Sequence, residues 1–124
     1  MAEDSAMFHE PLELVPQKTR EFHRAIVSVI EELQAIDWYR QRADATQDPE
    51  LRALLVHNGN EEKEHAAMLL EWIRRQDAAF EAHLRRYLFR EGRIVPEEDQ
   101  REAAGGNGGV APRPSIGSLR EVRS

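Results

Sequence analysis

Hydrophobic residues recur at helical spacing in two long stretches of the chain. In the first stretch they step alternately by four and three residues, at Phe22, Ile26, Val29, Leu33 and Ile36. This spacing predicts an amphipathic helix with a narrow apolar side, close to the spacing of a coiled coil. The helix is expected to begin with Pro16 at its first position and to end at Tyr39 or Gln41. Residues 1–15 are then a polar lead-in, and residues 42–47 are a polar connection.

A second amphipathic helix is predicted to start at the sequence Asp48-Pro49-Glu50. Asp48 fits the N-cap position and Pro49 the first turn, so the helix is expected to run to Arg75 or Gln76. Gly59 is its weak point, because glycine costs ~1 kcal/mol in a helix interior, but the helix is expected to continue through it. The residues that line its apolar side are Leu51, Leu55, Leu69, Trp72 and Ile73.

A shorter third helix is expected after Asp77, which can act as its N-cap. It is predicted to end at Arg90 or Glu91, with Gly92 as the stop. The residues that share one face of this helix are Phe80, Leu84, Tyr87 and Leu88. The sequence therefore indicates an all-α helical domain over residues 16–92: an antiparallel two-helix hairpin plus a short helix. Two long helices and a short one cannot enclose a hydrophobic core by themselves. Self-association is therefore expected, most simply about a two-fold axis.

The C-terminal part has a different composition. Residues 93–114 are rich in glycine and proline and are predicted to be a flexible linker. Residues 115–120 then restore two aliphatic side chains, Ile116 and Leu119, next to Arg120. A spacer that ends in such a segment is typical of a tethered docking peptide, and a plain disordered tail is the alternative.

The overall charge and composition narrow the range of partners. The net charge is −6, which disfavours nucleic acid and anionic membranes as partners. There is no cysteine, which excludes disulfides, zinc–thiolate sites and iron–sulfur clusters. No apolar run is long enough for a membrane span, and the N-terminus is too acidic and polar for a signal peptide. We therefore expect a cytosolic protein.

Polar residues interrupt the apolar sides of both long helices. Glu62 and His65 lie one turn apart within the apolar side of the second helix, and Glu32 lies at the edge of the apolar side of the first. Burying a carboxylate and an imidazole there is costly unless a partner such as a metal ion compensates them. Di-iron carboxylate bundles use two glutamates and two Glu-x-x-His pairs. This chain has one of each, so it carries half of such a site.

A two-fold axis would double the half-site to four carboxylates and two imidazoles. Such a donor set suits iron or manganese, and zinc can bind opportunistically. Tyr39 lies two turns beyond Glu32 on the same flank. The alternative is that Glu62 and His65 form an ordinary polar pair, which occurs by chance on many solvated helices. His57 with Glu61 or Glu64 is a further, weaker combination on the outer face, which we expect not to bind a metal.

From His9 to Gly92 the chain resembles the encapsulated ferritins, which are ferritin-like ferroxidases housed in encapsulin shells. The resemblance is densest in HRAIVSVIEELQAIDWY, DPEL, EEKEHAAMLLEW and HLRRYLFREG. It implies a ferritin-like two-helix protomer with a small extra helix. Two protomers would complete a four-helix bundle with an inter-subunit di-iron centre, and dimers would assemble into a ring of ten chains.

The resemblance also assigns roles to residues. Glu32, Glu62 and His65 match the iron ligands, Tyr39 matches a tyrosine that orients a ligand, and Glu31 and Trp38 match positions on the route by which metal reaches the centre. Gln34 departs from the family pattern, because better-known members have a second carboxylate there. Residues 115–120 resemble the peptide that directs cargo into the shell.

The function expected from this resemblance is ferroxidase activity: oxidation of Fe(II) to Fe(III) by O2, feeding iron storage inside an encapsulin compartment of the bacterial cytoplasm. Two rivals remain. One is a non-catalytic helical cargo or adaptor module in which the polar residues set register. The other is a di-iron scavenger of peroxide or oxygen that keeps iron as a fixed cofactor.

Overall fold

A computed structural model of the chain describes residues 7–96. These residues form a 3₁₀ turn, Leu12–Leu14, and three α-helices: α1 Gln17–Ala45, α2 Pro49–Gln76 and α3 Ala78–Tyr87. No strand occurs among them, which confirms the all-α class. Residues 7–85 belong to one compact unit and residues 86–96 to a second. The predicted linker beyond residue 96 and the peptide at 115–124 lie outside the described residues. Within residues 7–96, no helix has the length and apolar character needed to cross a bilayer.

Helix α1 is longer than the sequence pattern predicts. Pro16 is its N-cap and not its first helical residue, so the helix begins at Gln17, one residue later than predicted. It continues to Ala45 instead of ending at Tyr39 or Gln41. The reason is that residues 42–45 contain no helix breaker and Ala43 is buried. Arg52 closes the end, since its guanidinium donates to the carbonyl oxygens of Ala43 at 2.9 Å and Thr46 at 2.6 Å. These bonds satisfy carbonyls that a helix end leaves without partners.

Helix α2 begins as predicted and passes through its glycine. The Asp48 carboxylate accepts hydrogen bonds from the backbone N–H groups of Glu50 at 2.9 Å and Leu51 at 3.2 Å, a cap that typically contributes about 1 kcal/mol. Gly59 is buried against α1, where an added Cβ would lie 3.2 Å from the Cβ of Tyr39. The glycine therefore permits a close approach of the two helices.

Helix α3 has the predicted start but an earlier end. The backbone N–H of Phe80 donates to the Asp77 carboxylate at 2.8 Å, which confirms the cap. The helix ends at Tyr87, not at Arg90 or Glu91. Phe89 has a φ of 59°, a left-handed conformation that ends a helix and is rarely adopted by a bulky side chain. Gly92, with a φ of 90°, belongs to the turn that follows.

The hydrophobic interior is small. Among the described residues, the buried hydrophobic side chains are Ala25, Ala43 and Ile73. Many larger apolar side chains remain exposed, including Leu33, Trp38, Leu54, Val56, Met68 and Trp72. A single protomer thus leaves much of its apolar surface in water, as the sequence pattern suggested. Self-association remains a prediction that this surface supports.

An ion network joins α2 to α3. Glu71 accepts hydrogen bonds from Arg74 at 2.8 and 2.7 Å and from Arg75 at 2.7 Å. Arg74 also contacts Glu81 of α3 at 3.1 Å. The two guanidinium groups, Arg74 first, lower the pKa of Glu71 to about 2. The ionised form of Glu71 is thus favoured by folding.

We expect Glu71→Gln to lower the thermal stability of the metal-free protein slightly at pH 7. The pKa of Glu71 in the folded protein lies below its ordinary value of 4.5. The contribution of Glu71 to the free energy of unfolding is therefore complete above pH 4.5 and is lost as the pH falls toward about 2. The melting temperatures of variant and parent should therefore converge over this range, as followed by circular dichroism. Glu10→Gln removes an exposed carboxylate of the lead-in and is the control. A stability difference that stays constant down to pH 2 would contradict the assignment.

Candidate metal centre

Helices α1 and α2 pack antiparallel and bring the predicted ligands together. Arg52 contacts Ala43, Gly59 lies against Tyr39, and His65 lies near Glu32. The residue numbers rise along α2 while those of the residues opposite fall along α1, so the two helices run in opposite directions. Glu32 comes from the middle of α1. Glu62 and His65 are three residues apart on α2, which places their side chains on one face. Residues thirty positions apart in sequence thereby share one site.

The three side chains are close enough to hold one ion. Each offers a ligand atom, and these atoms all lie within 4.8 Å of one another. His65 Nδ1 is 3.1 Å from a carboxylate oxygen of Glu62 and 3.7 Å from one of Glu32. In residues 7–96 this is the only group of three or more histidine, aspartate or glutamate side chains with such geometry.

The three side chains shift one another's pKa values. The interaction between the two carboxyl groups raises the pKa of Glu32 and lowers the pKa of Glu62, and the hydrogen bond to His65 lowers the pKa of Glu62 further. The hydrogen bond to Glu62 raises the pKa of His65, and burial opposes this rise. The site is therefore a compact acidic pair next to an imidazole that favours its charged form. A bound cation would compensate the negative charge of the two carboxylates.

The centre is open on one side. The side chains of Glu32 and Glu62 are each 24% exposed, and that of His65 is 48% exposed. Three donor groups on a partly exposed surface do not fill the coordination sphere of iron or manganese, which prefer about six ligands. Further ligands must come from water or from another molecule.

Tyr39 lies on α1 seven residues after Glu32, which is about 10 Å along the helix axis. It is half-buried, its Cβ faces Gly59, and the Arg42 guanidinium lies 5.8 Å from its ring centroid. The same guanidinium lies 5.7 Å from the ring centroid of Trp38. Arg42 was not predicted to lie against these rings, although its position three residues after Tyr39 and four after Trp38 is the spacing of helical neighbours.

The remaining candidate residues lie outside the three-residue group. Glu31 is exposed, Gln34 is half-buried, and Trp38 is partly exposed on α1. His57 pairs with Glu61 at 3.2 Å on the surface of α2, and within residues 7–96 no third metal-ligating side chain joins this pair. The roles predicted for Glu31, Trp38 and Tyr39 remain predictions.

The chain is similar to the members of a known protein family. Residues 7–91 match the EncFtn-like protein family. The chain belongs to this family.

Its EncFtn-like relatives span several bacteria. The chain is 58% identical to the encapsulated ferritin-like protein of Rhodospirillum rubrum over 113 residues, covering 91% of this chain and 81% of the relative. It is 45% identical to a ferritin-like protein of Thermotoga maritima over 100 residues, covering 81% of this chain and 86% of the relative. It is 37% identical to the encapsulin nanocompartment cargo protein EncC of Myxococcus xanthus over 121 residues, covering 86% of this chain and 92% of the relative.

A solved structure supports the EncFtn-like fold. A crystal structure of a protein from Nitrosomonas europaea has a TM-score of 0.69 and 54% sequence identity. It covers 72% of this chain and 98% of that protein. The prediction of a ferritin-like helical fold is confirmed.

Proposed function

We propose that this protein is a ferroxidase that oxidises Fe(II) to Fe(III) with O2 at a di-iron centre shared between two subunits. The observation that carries the proposal is the convergence of Glu32, Glu62 and His65 within 4.8 Å, on a face that one chain leaves partly open. Membership of the EncFtn-like family supports an iron-related role for this face.

The donor set fits iron. Carboxylate oxygens and a neutral imidazole nitrogen are ligands that Fe(II) accepts, and the absence of cysteine removes softer competitors. Glu32 and Glu62 would bind and bridge the ions, and His65 would supply one nitrogen. Tyr39 would orient a ligand by hydrogen bonding. Glu31 and Trp38 would lie on the route by which iron reaches the centre.

A second copy of the chain would complete the centre. Two half-sites related by a two-fold axis bring four carboxylates and two imidazoles around two ions, which in such centres lie about 3.5–4 Å apart. The exposed apolar side chains of α1 and α2, such as Leu33, would provide surface for this contact. Dimers of this kind would assemble further into a ring of ten chains.

The chemistry requires two irons. Each Fe(II) loses one electron, and two electrons together reduce one O2, which takes up two protons to give hydrogen peroxide. A lone ion cannot supply both electrons. The protein's own contribution is to hold the two substrate ions side by side.

Two of the relatives suggest the cellular setting. The Rhodospirillum rubrum protein is named as encapsulated and the Myxococcus xanthus protein as encapsulin cargo. We infer that this chain is likewise cargo of an encapsulin shell in the bacterial cytoplasm, addressed by residues 115–120. Iron oxidised at the open centre would then be stored as mineral inside the shell.

The proposal is tested by adding Fe(II) to the metal-free protein without oxygen and then admitting O2. We expect oxidation much faster than in buffer, over many equivalents of iron per site, measured by absorbance in the near ultraviolet. Native mass spectrometry should show that Fe(II) shifts the chains from monomer or dimer toward a larger assembly. Oxidation at the buffer rate would favour the adaptor. Oxidation that stops after one equivalent per site would favour the scavenger.

A further inference from the structure

Gly59 lies at a close contact between α2 and α1, one helical turn before Glu62. It is buried, and the three residues that separate it from Glu62 span about 4.5 Å along the helix axis. A Cβ added to Gly59 would lie 3.2 Å from the Cβ of Tyr39. This distance is shorter than the roughly 3.5–4.0 Å of ordinary carbon contacts. The two helices therefore approach here because α2 has no side chain at this position.

The backbone at Gly59 does not by itself require glycine. The residue lies in the interior of α2 and has no positive φ, so any side chain is compatible with its conformation. Glycine weakens a helix interior relative to alanine, so it is an unfavourable residue here on local grounds. The space against α1 is the physical reason that the structure offers for a glycine at this position.

The spacing of the two helices affects the metal centre because the candidate ligands come from both of them. Glu62 and His65 are fixed relative to each other by α2, whereas Glu32 reaches them from α1. The ligand atoms of all three lie within 4.8 Å of one another. Metal–ligand distances vary by only about 0.2 Å from their ordinary values. A small increase in the distance between the helices would therefore weaken the contribution of Glu32 first.

We propose that Gly59 is a positioning residue, which sets the distance between α1 and α2 at which Glu32 joins the two ligands of α2 around one ion. A Cβ at position 59 would meet the Cβ of Tyr39, and both atoms are attached directly to helix backbone. Rotation of a side chain cannot separate them, so the helices themselves must shift. The inference rests on the proposed function, because it takes the same three side chains as the metal ligands.

Valine is the substitution that tests this contact. An open groove of about 310 Å³ lies beside Gly59, and a long, flexible side chain can turn into it. The methyl groups of valine are attached to Cβ and stay at the contact. Valine is also a better helix former than glycine, so α2 should remain helical. Asn60→Val places the same side chain at the next residue, which is exposed, and is the matched control.

The experiment titrates the metal-free, full-length protein with Co(II), whose visible absorption spectrum reports its ligands. We expect Gly59→Val to weaken Co(II) binding about tenfold or more, as is typical when a group that orients a metal ligand is lost. Gly59→Ala, which adds only the Cβ, should weaken binding less. The spectrum of the valine variant should match that of Glu32→Ala, because the same carboxylate is missing from the ion. Asn60→Val should have the parental affinity and spectrum, and circular dichroism should show parental helix content in all variants.

A double variant separates positioning from a general loss of stability. If Gly59→Val acts by withdrawing Glu32, then adding Glu32→Ala to it should weaken Co(II) binding by no more than about twofold. Two independent effects would multiply instead. Multiplied losses would overturn the proposal, because Gly59 would then act on the protein by some other route than Glu32.

The outcomes also separate this proposal from the ferroxidase reaction. Parental Co(II) affinity in both Gly59 variants, with rapid iron oxidation, would overturn the role of Gly59 and leave the ferroxidase proposal standing. Co(II) binding that depends on Gly59 and Glu32 together, with iron oxidation at the buffer rate, would support the role of Gly59 and refute the ferroxidase proposal.

Discussion

Replacement of His65 by alanine is expected to slow the oxidation of Fe(II) by a factor on the order of a hundred or more. Loss even of a group that only supports a metal ligand typically costs 10–100-fold in affinity or activity, and His65 is proposed to be a ligand itself. The helical fold should remain, since the side chain is 48% exposed and alanine favours helix. Stopped-flow absorbance measures the rate, and circular dichroism measures the helix content. Glu32→Ala should have the same effect through loss of the bridging carboxylate.

The matched control for this substitution is His57→Ala. His57 lies on the same helix, is exposed, and pairs with Glu61 at 3.2 Å, so it has the same chemistry without the third ligand. This variant should oxidise iron at the parental rate. If the double variant of Glu32 and His65 did so as well, the assignment of the centre would be wrong.

Removal of residues 115–124 is expected to abolish loading into an encapsulin shell while leaving iron oxidation intact. If Ile116 and Leu119 dock into apolar pockets, each contributes about 1.5–3 kcal/mol, so loss of both weakens binding roughly a hundredfold or more. The measurement is co-expression with the shell protein, followed by purification of shells and quantification of the cargo inside. Iron oxidation is measured separately on the free protein.

A finer pair of variants separates recognition from tail length. Replacing Ile116 and Leu119 by serine should reduce loading as much as the deletion does. Replacing Ser115 and Ser118 by alanine should leave it nearly unchanged, because these side chains offer little apolar surface. Full loading of the first variant would show that the two aliphatic side chains are not the recognised feature.

Local signals in the sequence predicted the starts of the helices better than their ends. Asp48 and Asp77 act as caps because a carboxylate next to the first turn satisfies free N–H groups wherever the rest of the chain lies. The end of α1 depends instead on burial of Ala43 and on Arg52, which reaches back from α2. The end of α3 depends on the conformation of Phe89, a residue that gives no such signal in sequence.

The sequence by itself determined the helical periodicity, the caps and the three metal-ligand candidates, because helical spacing alone places Glu62 and His65 together and a glutamate on an apolar flank stands out. Only the tertiary structure decided how closely they approach, since the ligand atoms of Glu32, Glu62 and His65 lie within 4.8 Å of one another. That approach requires the chain to fold back so that α1 and α2 pack in one register. Gly59 permits this packing because it has no side chain where α2 lies against Tyr39. Register is a property of the packed pair of helices, and neither helix encodes it alone.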